Sequence, residues 1–188
     1  DYLTKFPFQK FVEDIEKSIK IFNDKLGYNP IFFSYPFGEY NLEQKNYISN
    51  NFEFAFGQHS GVIDLNKDRY ELPRFPINEK YGEIKRFKEV ISYLPLQYKI
   101  IKPENKFMND GENPPKMTIE FFEDQKNLEN INCFSNEGSK WRKTKIILND
   151  NILNINFSEK FIERRGRINC SLKDENGWRF SGFQFVQN

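Results

Sequence analysis

Apolar residues recur every three or four positions over the first part of the chain. The repeat consists of Phe8, Phe11, Val12, Ile15, Ile19, Phe22 and Leu26. This spacing predicts one amphipathic helix, because such residues fall on a single face of a helix. Pro7 favours the start of this helix and Gly27 favours its end. A stripe this wide must pack on a sheet or on other helices.

A strand, a tight turn and a second helix are predicted next. Residues 31–33 are consecutive apolar residues, which is typical of a buried strand. Pro36 then restricts the backbone, and Gly38 permits a turn that most residues disfavour. Asn41 is a good helix cap, and Gln44 follows it at the spacing of a capping box. We therefore expect a helix to begin directly after this turn.

The alternation of helices and strands continues to about residue 94. A short aromatic strand is predicted over residues 53–57, and a strand-like run over residues 72–77. Pro73 and Pro76 make that run irregular or peripheral. Spaced apolar residues then predict another amphipathic helix over residues 84–94. Alternation of this kind indicates a parallel sheet with covering helices.

Beyond residue 116 the apolar period changes from that of a helix to that of a strand. Six strands are predicted, over residues 117–122, 130–135, 144–148, 152–157, 167–172 and 178–186. Residues 149–151 and 174–177 have the composition of hairpin turns. A bulge near Ser181-Gly182 would bring the aromatic residues of the last strand onto one face. We therefore predict a small β-sandwich, preceded by a proline-rich linker over residues 102–116 and a domain boundary near residue 103.

Composition and charge narrow the function classes. Aromatic residues make up 17% of the 188 residues, with 21 Phe, so a sizeable core is available. The 28 basic and 27 acidic residues leave a formal charge of +1, so nothing here indicates a nucleic-acid partner. No run of 18 apolar residues exists, so we expect no membrane span.

Histidine and cysteine are too few for the usual zinc sites. His59 is the single histidine, which excludes from this chain any site that needs two. Two cysteines are too few for a zinc cluster made of thiols alone. Cys133 and Cys170 each lie on a predicted strand, and two alternatives stay open for them. They form a bridge between sheets, or they are two buried free thiols.

The segment Tyr35-Pro36-Phe37-Gly38-Glu39-Tyr40-Asn41 resembles the third motif of the polysaccharide deacetylases, the NodB-homology carbohydrate esterases of family four. That motif is an Arg-x-Pro-Tyr-Gly turn at the end of a strand. Here Pro36-Phe37-Gly38 matches its last part, and Ser34 stands where the motif often has Arg. Residues 54–62 and 72–77 are similar to a bacterial branch of the superfamily that carries a small C-terminal β domain.

The resemblance implies an α/β plus all-β chain. Residues 1–102 would be the C-terminal part of a distorted (β/α) barrel of NodB-homology type, and residues 103–188 the small β-sandwich. The family removes acetyl groups from N-acetylated sugars with a divalent metal, often zinc, held by an Asp and two His, and a further Asp acts as general base. In the family, the metal Asp and the base lie in a Thr-Phe-Asp-Asp-type motif, and the two His lie in a His-x-x-x-His-type motif. Both motifs are absent from this sequence and belong upstream of residue 1 in the family's order.

We therefore expect this chain to be a portion of a polysaccharide N-deacetylase. The metal is expected in the complete enzyme and not on this chain, which should be inactive alone. The expected partner is an N-acetylated polysaccharide or glycan, and the expected location is the cell envelope rather than the cytoplasm. The alternative is a non-catalytic carbohydrate-binding protein that uses the β-sandwich, and a purely structural accessory domain is the third hypothesis.

Three residues are catalytic candidates by this resemblance. Phe37 would lend its backbone N–H to the oxyanion, or its turn is simply one whose aromatic ring packs in the core. His59 would polarise the acetyl carbonyl or donate to the leaving amine, or it is a loop histidine bonded to backbone. Arg74 would pair with an upstream carboxylate, or its head reaches solvent.

Three further residues are candidates for contacts with the sugar. Tyr35 offers an aromatic face that suits the apolar face of a sugar ring, and strand alternation is equally consistent with a core position. Gln58 is a candidate for binding sugar hydroxyls. Glu39 lies at the turn, where a solvated or helix-end charge is the simpler interpretation.

Two features of the predicted β region could bind a ligand or have a purely structural role. Arg164-Arg165-Gly166-Arg167 is a basic cluster that could touch an anionic glycan or the barrel, although such a run is more often a solvated turn. Trp141 and Trp178 could form a sugar-stacking platform, although core positions are expected in so small a domain.

Overall fold

The computed structural model describes residues 6–64, 66–109 and 111–187. These residues form two compact units. The first contains residues 6–58 and 66–73, and the second contains residues 59–64, 74–109 and 111–187. The chain therefore passes between the units three times, after Gln58, between residues 64 and 66, and after Pro73, whereas the sequence places a single domain boundary near residue 103. That domain assignment stays a prediction.

The first unit begins with the predicted amphipathic helix. Helix α1 spans Phe8–Leu26, and Gly27 ends it in the left-handed conformation at φ 81°. This confirms the helix and its termination, because glycine adopts that conformation without a steric penalty. Phe11 and Ile15 are buried, whereas Leu26 at the far end is exposed. Only the N-terminal part of the apolar stripe is therefore covered.

The predicted strand, turn and helix follow α1. Strand β1 spans Phe32–Ser34, a 3-10 turn spans Pro36–Gly38, and helix α2 spans Leu42–Asn51. The capping box is present, because Gln44 N donates to Asn41 Oδ1 at 2.8 Å and Asn41 N donates to Gln44 Oε1 at 3.1 Å. These two bonds satisfy two backbone donors that the first turn of a helix leaves open.

A second strand pairs with the first in parallel. Strand β2 spans Phe54–Phe56 and aligns Phe33 with Ala55. The run over residues 72–77 adds no further strand within the described residues, and only Leu72 bridges to Phe56. Two prolines in that run lack the N–H that a ladder requires. The described parallel sheet thus has two strands and does not close into a barrel, and the predicted barrel stays a prediction.

One face of this small sheet supports the core and the other is open. The core consists of Phe11, Ile15, Tyr35, Tyr40, Ile48, Phe52 and Ala55. On the opposite face, Phe32 packs beside the rings of Phe54 and Phe56, at 5.7 and 6.2 Å between centroids. Phe32 remains 57% exposed. Parallel strands normally have both faces covered, so this face is unusual.

The described residues of the second unit contain one α-helix, ten strands and two short 3-10 helices, Leu128–Asn130 and Glu137–Ser139. The α-helix and the strands are α3 Ile84–Ile91, β3 Leu94–Pro95, β4 Ile100–Lys102, β5 Phe107–Met108, β6 Met117–Glu120, β7 Asn132–Ser135, β8 Arg142–Lys143, β9 Lys145–Asn149, β10 Ile152–Asn156, β11 Arg165–Asp174 and β12 Gly177–Gln187. All six predicted strands are present as β6, β7, β9, β10, β11 and β12. The four shorter strands lacked a recognisable alternation.

These strands form two sheets. One sheet has the order β4-β6-β10-β9, and the other has the order β3-β12-β11-β7-β8 with β5 also paired to β12. Both predicted hairpin turns join neighbouring strands, since Asn149 pairs with Ile152 and Asp174 pairs with Gly177. Leu153 from the first sheet and Phe185 from the second are fully buried in one common core. Two sheets with a shared core are what a β-sandwich requires, and the sandwich class itself stays a prediction.

Two local predictions for this unit are wrong. The stretch over residues 102–116 is not a linker, because β5 pairs with β12 and Met108 is buried in the core. The last strand also has no bulge near Gly182 within its described length, since its pairing with β11 runs without interruption. Its aromatic residues occupy both faces, and each face is covered along part of the strand: Phe185 lies in the core, and Phe180 packs against Tyr93 on the other side.

The two cysteines form a disulfide within one sheet. Cys133 on β7 stands directly opposite Cys170 on β11, with an S–S distance of 2.03 Å. The free-thiol alternative is therefore wrong. The bridge alternative holds, but the bridge joins neighbouring strands and not two sheets.

The predicted helix after residue 84 is confirmed, but its packing is not the one its pattern suggests. Helix α3 carries its apolar residues on one side, as predicted. Ile84, Phe87 and Ile91 on that side are all exposed. The apolar face of α3 is therefore open in the described chain.

Candidate functional site

The turn after β1 has an unusual backbone. Gly38 N donates to Tyr35 O at 2.8 Å, and Glu39 N donates to Pro36 O at 3.1 Å. Within this turn both Phe37, at φ 58° and ψ 9°, and Gly38, at φ 68°, are left-handed. For a bulky side chain this conformation costs about 1–2 kcal/mol. Non-glycine residues held in such conformations cluster at functional sites.

The ring of Phe37 does not explain this conformation. Phe37 is 38% exposed, so the alternative in which its ring fills the core is wrong. The conformation is imposed by the tight turn between Pro36 and the buried Gly38. The backbone therefore holds an aromatic residue outward at the carboxyl end of a parallel strand, where α/β folds place their chemistry.

The turn lies directly against the backbone that follows β2. A Cβ added at Gly38 would stand 2.5 Å from Gln58 N and 2.7 Å from Gln58 Cβ. Only glycine permits this approach, because real Cβ atoms do not come so close to backbone. The first unit therefore brings Phe37 and Gln58, two of the predicted site residues, to the same place.

Tyr35 is a core residue. It is 1% exposed, and its ring packs on that of Tyr40 at 4.4 Å between centroids. Of the two alternatives for Tyr35, the structure therefore shows the core position. Its ring is not available to a sugar in this unit. Its hydroxyl oxygen has no hydrogen-bond partner among the described residues. Burial, and then the nearby carboxylates of Asp68 and Glu71, raise the pKa of Tyr35 above its usual range.

A partly buried ionic network, with Lys45 at its buried end, lies in the same unit. Lys45 Nζ lies 2.6 Å from Asp68 Oδ2 and 3.5 Å from Glu71 Oε2, and Tyr40 donates to Glu71 Oε2 at 2.8 Å. Burial lowers the pKa of Lys45, but Glu71 and Asp68 outweigh it and raise that pKa above its usual value. The sequence did not reveal this network, because its partners lie far apart along the chain.

Glu39 lies between the turn and α2 and is also buried. Only 1% of its surface is exposed, so the interpretation as a solvated charge is wrong. Burying a carboxyl group costs free energy unless polar neighbours compensate for the lost hydration. Glu39 is a buried acidic residue of the first unit, next to the turn.

The other two predicted site residues belong to the second unit. Arg74 N donates to His59 O at 3.0 Å, so the backbones of these residues are directly linked. His59 is half-buried and Arg74 is exposed, which agrees with the alternative in which the head of Arg74 reaches solvent.

An open cavity lies beside these two residues in the second unit. Ser60 follows His59 and Phe75 follows Arg74, and both Ser60 and Phe75 line a cavity of about 410 Å³. Its walls also include Tyr93, Asn169 and Phe180 together with four charged residues from α3 and the residue before it, Glu83, Lys85, Arg86 and Glu89. Sequence reasoning missed this cavity, because no spacing links segments so far apart.

The remaining candidates of the β region also differ from expectation. Trp141 and Trp178 are 53% and 47% exposed, so the prediction of core positions is wrong. The basic cluster is not a solvated turn, because Arg165 begins β11 and Arg167 lies within it. Burial, and then the charge of Arg165, lower the pKa of Arg167.

The described residues do not fit the divalent metal that the family resemblance implies. Among them, no group of three or more His, Cys, Asp or Glu is arranged to hold a metal ion. In the same part of the chain, no helix combines the length and the apolar character needed to cross a lipid bilayer.

Comparison with known proteins assigns no family. No protein-family model matches the chain, and neither the curated proteins nor the solved structures provide a match.

Proposed function

We propose that this chain supplies one side of the active site of a metal-dependent polysaccharide N-deacetylase. The metal-ligand motifs of that enzyme would lie on polypeptide that precedes residue 1. In this proposal the chain contributes the backbone turn at Phe37, which would face the acetyl carbonyl oxygen. His59 and Arg74 are the further catalytic candidates. The substrate class is an N-acetylated amino-sugar polymer.

The observation that carries the proposal is the conformation of the turn at Phe37. A left-handed phenylalanine and a left-handed glycine follow each other directly after a parallel strand, packed on Gln58. Successive left-handed residues alter the direction in which backbone N–H groups point, which is how tight turns create binding sites for negative oxygen. Acyl-transfer enzymes stabilise their oxyanion with such backbone donors.

The exposed apolar surfaces of both units support the proposal. In the first unit the face of the parallel sheet that carries Phe32 is open, and in the second unit the face of α3 that carries Ile84 and Ile91 is open. A (β/α) barrel covers the surfaces of its strands and the inner faces of its helices. Further barrel elements are therefore the kind of partner that both surfaces fit.

Acetate release from an N-acetylglucosamine oligomer tests the proposal in the complete protein. Gly38→Ala places a Cβ against the backbone of Gln58, so the turn must shift, and we expect turnover to fall about a hundredfold. Gly27→Ala is the matched control, because it also adds a Cβ at positive φ but meets no atom within 4 Å among the described residues. It should lower stability slightly and leave turnover unchanged.

Two results would overturn the proposal. One is unchanged turnover in the folded Gly38→Ala enzyme. The other is the absence of both a histidine pair and an aspartate pair from the coding sequence that precedes residue 1.

The exposed tryptophans favour a second candidate function. Trp141 and Trp178 are large aromatic side chains at the surface of the second unit, which suits non-catalytic carbohydrate binding through the predicted sandwich. Glycan binding that is lost on Trp141→Ala or Trp178→Ala, without acetate release by the complete protein, would support this candidate over the first.

A further inference from the structure

The cavity of the second unit combines aromatic and polar walls. The rings of Tyr93 and Phe180 lie parallel within 10°, at 5.7 Å between centroids, and Phe75 packs on both at 5.9 and 5.5 Å. All three residues are half-buried, so part of each ring forms the wall of the cavity. An aromatic wall of this kind suits a ligand with an apolar C–H face.

Polar groups in the same walls are free to bind a ligand. The side chains of Ser60, Tyr93 and Asn169 line the cavity and have no hydrogen-bond partner within the part of the chain that the structure describes. A hydroxyl donates and accepts, and the amide of Asn169 does both at once. Sugar hydroxyls and acetamide groups need partners of this dual kind.

The charges around the cavity cancel. Two acidic residues, Glu83 and Glu89, face two basic ones, Lys85 and Arg86. The guanidinium of Arg86 is already engaged, because Nη1 donates to the carbonyl oxygens of Pro76 and Tyr81 at 3.0 and 3.1 Å. A site with balanced and partly engaged charges favours a neutral ligand over an anion.

A glycine on β12 lies against two residues of the cavity wall. A Cβ at Gly182 would collide with Ser60 O and stand 2.6 Å from Asn169 Oδ1. Gly182 therefore lets β12 approach Ser60 and Asn169, two of the polar groups in the wall. The volume of about 410 Å³ lies within the range of about 300–1,000 Å³ for small-molecule sites.

We infer that this cavity binds a neutral oligosaccharide of N-acetylated amino sugars through the rings of Tyr93 and Phe180 and the amide of Asn169. The sugar class rests on the proposed function, whereas the neutral polar ligand follows from the walls. The site is distinct from the turn at Phe37, and it would hold the polymer whether or not the chain takes part in deacetylation.

Calorimetric titration of residues 1–188 with the β-1,4-linked tetramer of N-acetylglucosamine tests the inference. We expect binding that weakens about threefold to tenfold in Asn169→Ala, the equivalent of one lost hydrogen bond. Asn154→Ala is the matched control, because Asn154 is also a half-buried strand asparagine but lies outside the cavity. It should leave the affinity unchanged.

Variants of aromatic residues provide a second test in the same titration experiment. Tyr93→Ala should weaken binding about tenfold or more, because the sugar loses an apolar wall. Trp141→Ala should leave binding unchanged, and the thermal unfolding midpoint of each variant shows that it is folded. Absence of tetramer binding at millimolar concentration would overturn the inference, as would binding that survives Asn169→Ala and Tyr93→Ala but is lost in Trp141→Ala.

This experiment separates the inference from the proposed function. Titration of the chain requires no metal and no acetate release, so tetramer binding supports the cavity even if the complete protein proves to be no deacetylase. Conversely, deacetylation by the complete protein without tetramer binding by residues 1–188 would reject the cavity alone.

Discussion

The first unit builds its core from helices and two parallel strands, whereas the second unit closes its core between two sheets and adds a disulfide. Among the described residues, seven side chains form the core of the first unit and sixteen form that of the second. In its described residues, the first unit also leaves an apolar sheet face exposed at Phe32 and contains a partly buried ionic network. The difference predicts that the two units unfold separately and that the second is the more stable of the two.

Removing the disulfide should have the largest effect on the difference in stability between the two units. Replacing both cysteines, in Cys133→Ala with Cys170→Ala, should lower the free energy of unfolding of the second unit by about 2–4 kcal/mol, because the bridge closes a loop between residues 37 positions apart. Trp141 and Trp178 both belong to the second unit and are the only tryptophans of the chain, so their fluorescence reports its unfolding.

The first unit is the internal reference for that measurement. Hydrogen exchange in α1 and α2 should stay unchanged in the double variant, and Ser171→Ala on β11 controls for a small change beside the bridge. Equal destabilisation of both units would contradict their independence. Titration of unreduced, denatured protein should detect no free thiol, and two thiols per chain would refute the bridge itself.

The next largest effect is a difference in stability between phenylalanine variants of two tyrosines that pack on each other in the first unit. Tyr40→Phe removes a hydrogen bond to the carboxylate of Glu71 and should cost the first unit about 1.5–3 kcal/mol. Tyr35→Phe removes a buried hydroxyl without a partner among the described residues, so it should be neutral or stabilising. Hydrogen exchange of the α2 amides measures both, and an equal loss in the two variants would contradict the assigned network.

The same network predicts sensitivity to alkaline pH. Burial raises the pKa of Tyr40 and of Tyr35, and Glu71 and Asp68 raise that of Lys45 against the effect of burial. A raised pKa contributes stability that is complete below the unfolded value and is lost as pH rises through the folded one. The first unit should therefore weaken above about pH 10, where unfolded tyrosine and lysine lose their protons. Tyr35→Phe should make this decline less steep.

The two units also show which features local sequence can predict. The cap of α2 depends on Asn41 and Gln44 three residues apart, and the alternation in residues 152–156 depends on neighbours, so both were predicted correctly. The ionic network joins Lys45 to a residue 23 positions away, and the cavity joins Ser60 to Asn169. No local pattern encodes such pairs.

Alternation predicts the side on which a residue lies, but not whether that side is covered. Trp178 was expected in the core and lies at the surface, while Phe180, on the same face of β12, packs on Tyr93. The predicted bulge in β12 was wrong for the same reason, because it assumed that only one face of that strand could be buried. The exposed face of α3 shows the reverse case, in which an apolar stripe is predicted correctly but has no cover in the described chain.

The smallest expected effect concerns the strained turn of the first unit. Phe37→Gly and Phe37→Ala both remove the same ring, which is 38% exposed, so they differ mainly in the backbone conformation that each tolerates. Glycine adopts φ 58° without the steric cost that alanine retains, so the glycine variant should be more stable than the alanine variant by about 1 kcal/mol.

Phe32 provides a control of opposite sign for the same pair of substitutions. It is an exposed aromatic residue of the same unit, but it lies in a strand with ordinary extended backbone. There the glycine variant should be less stable than the alanine variant by about 0.5–1 kcal/mol, because glycine loses more conformational freedom on folding. Hydrogen exchange of the amides in α2 measures both pairs. Opposite signs would locate stored backbone strain at Phe37, whereas the same sign at both positions would mean that the turn is relaxed and would remove the main structural support for an oxyanion-binding role.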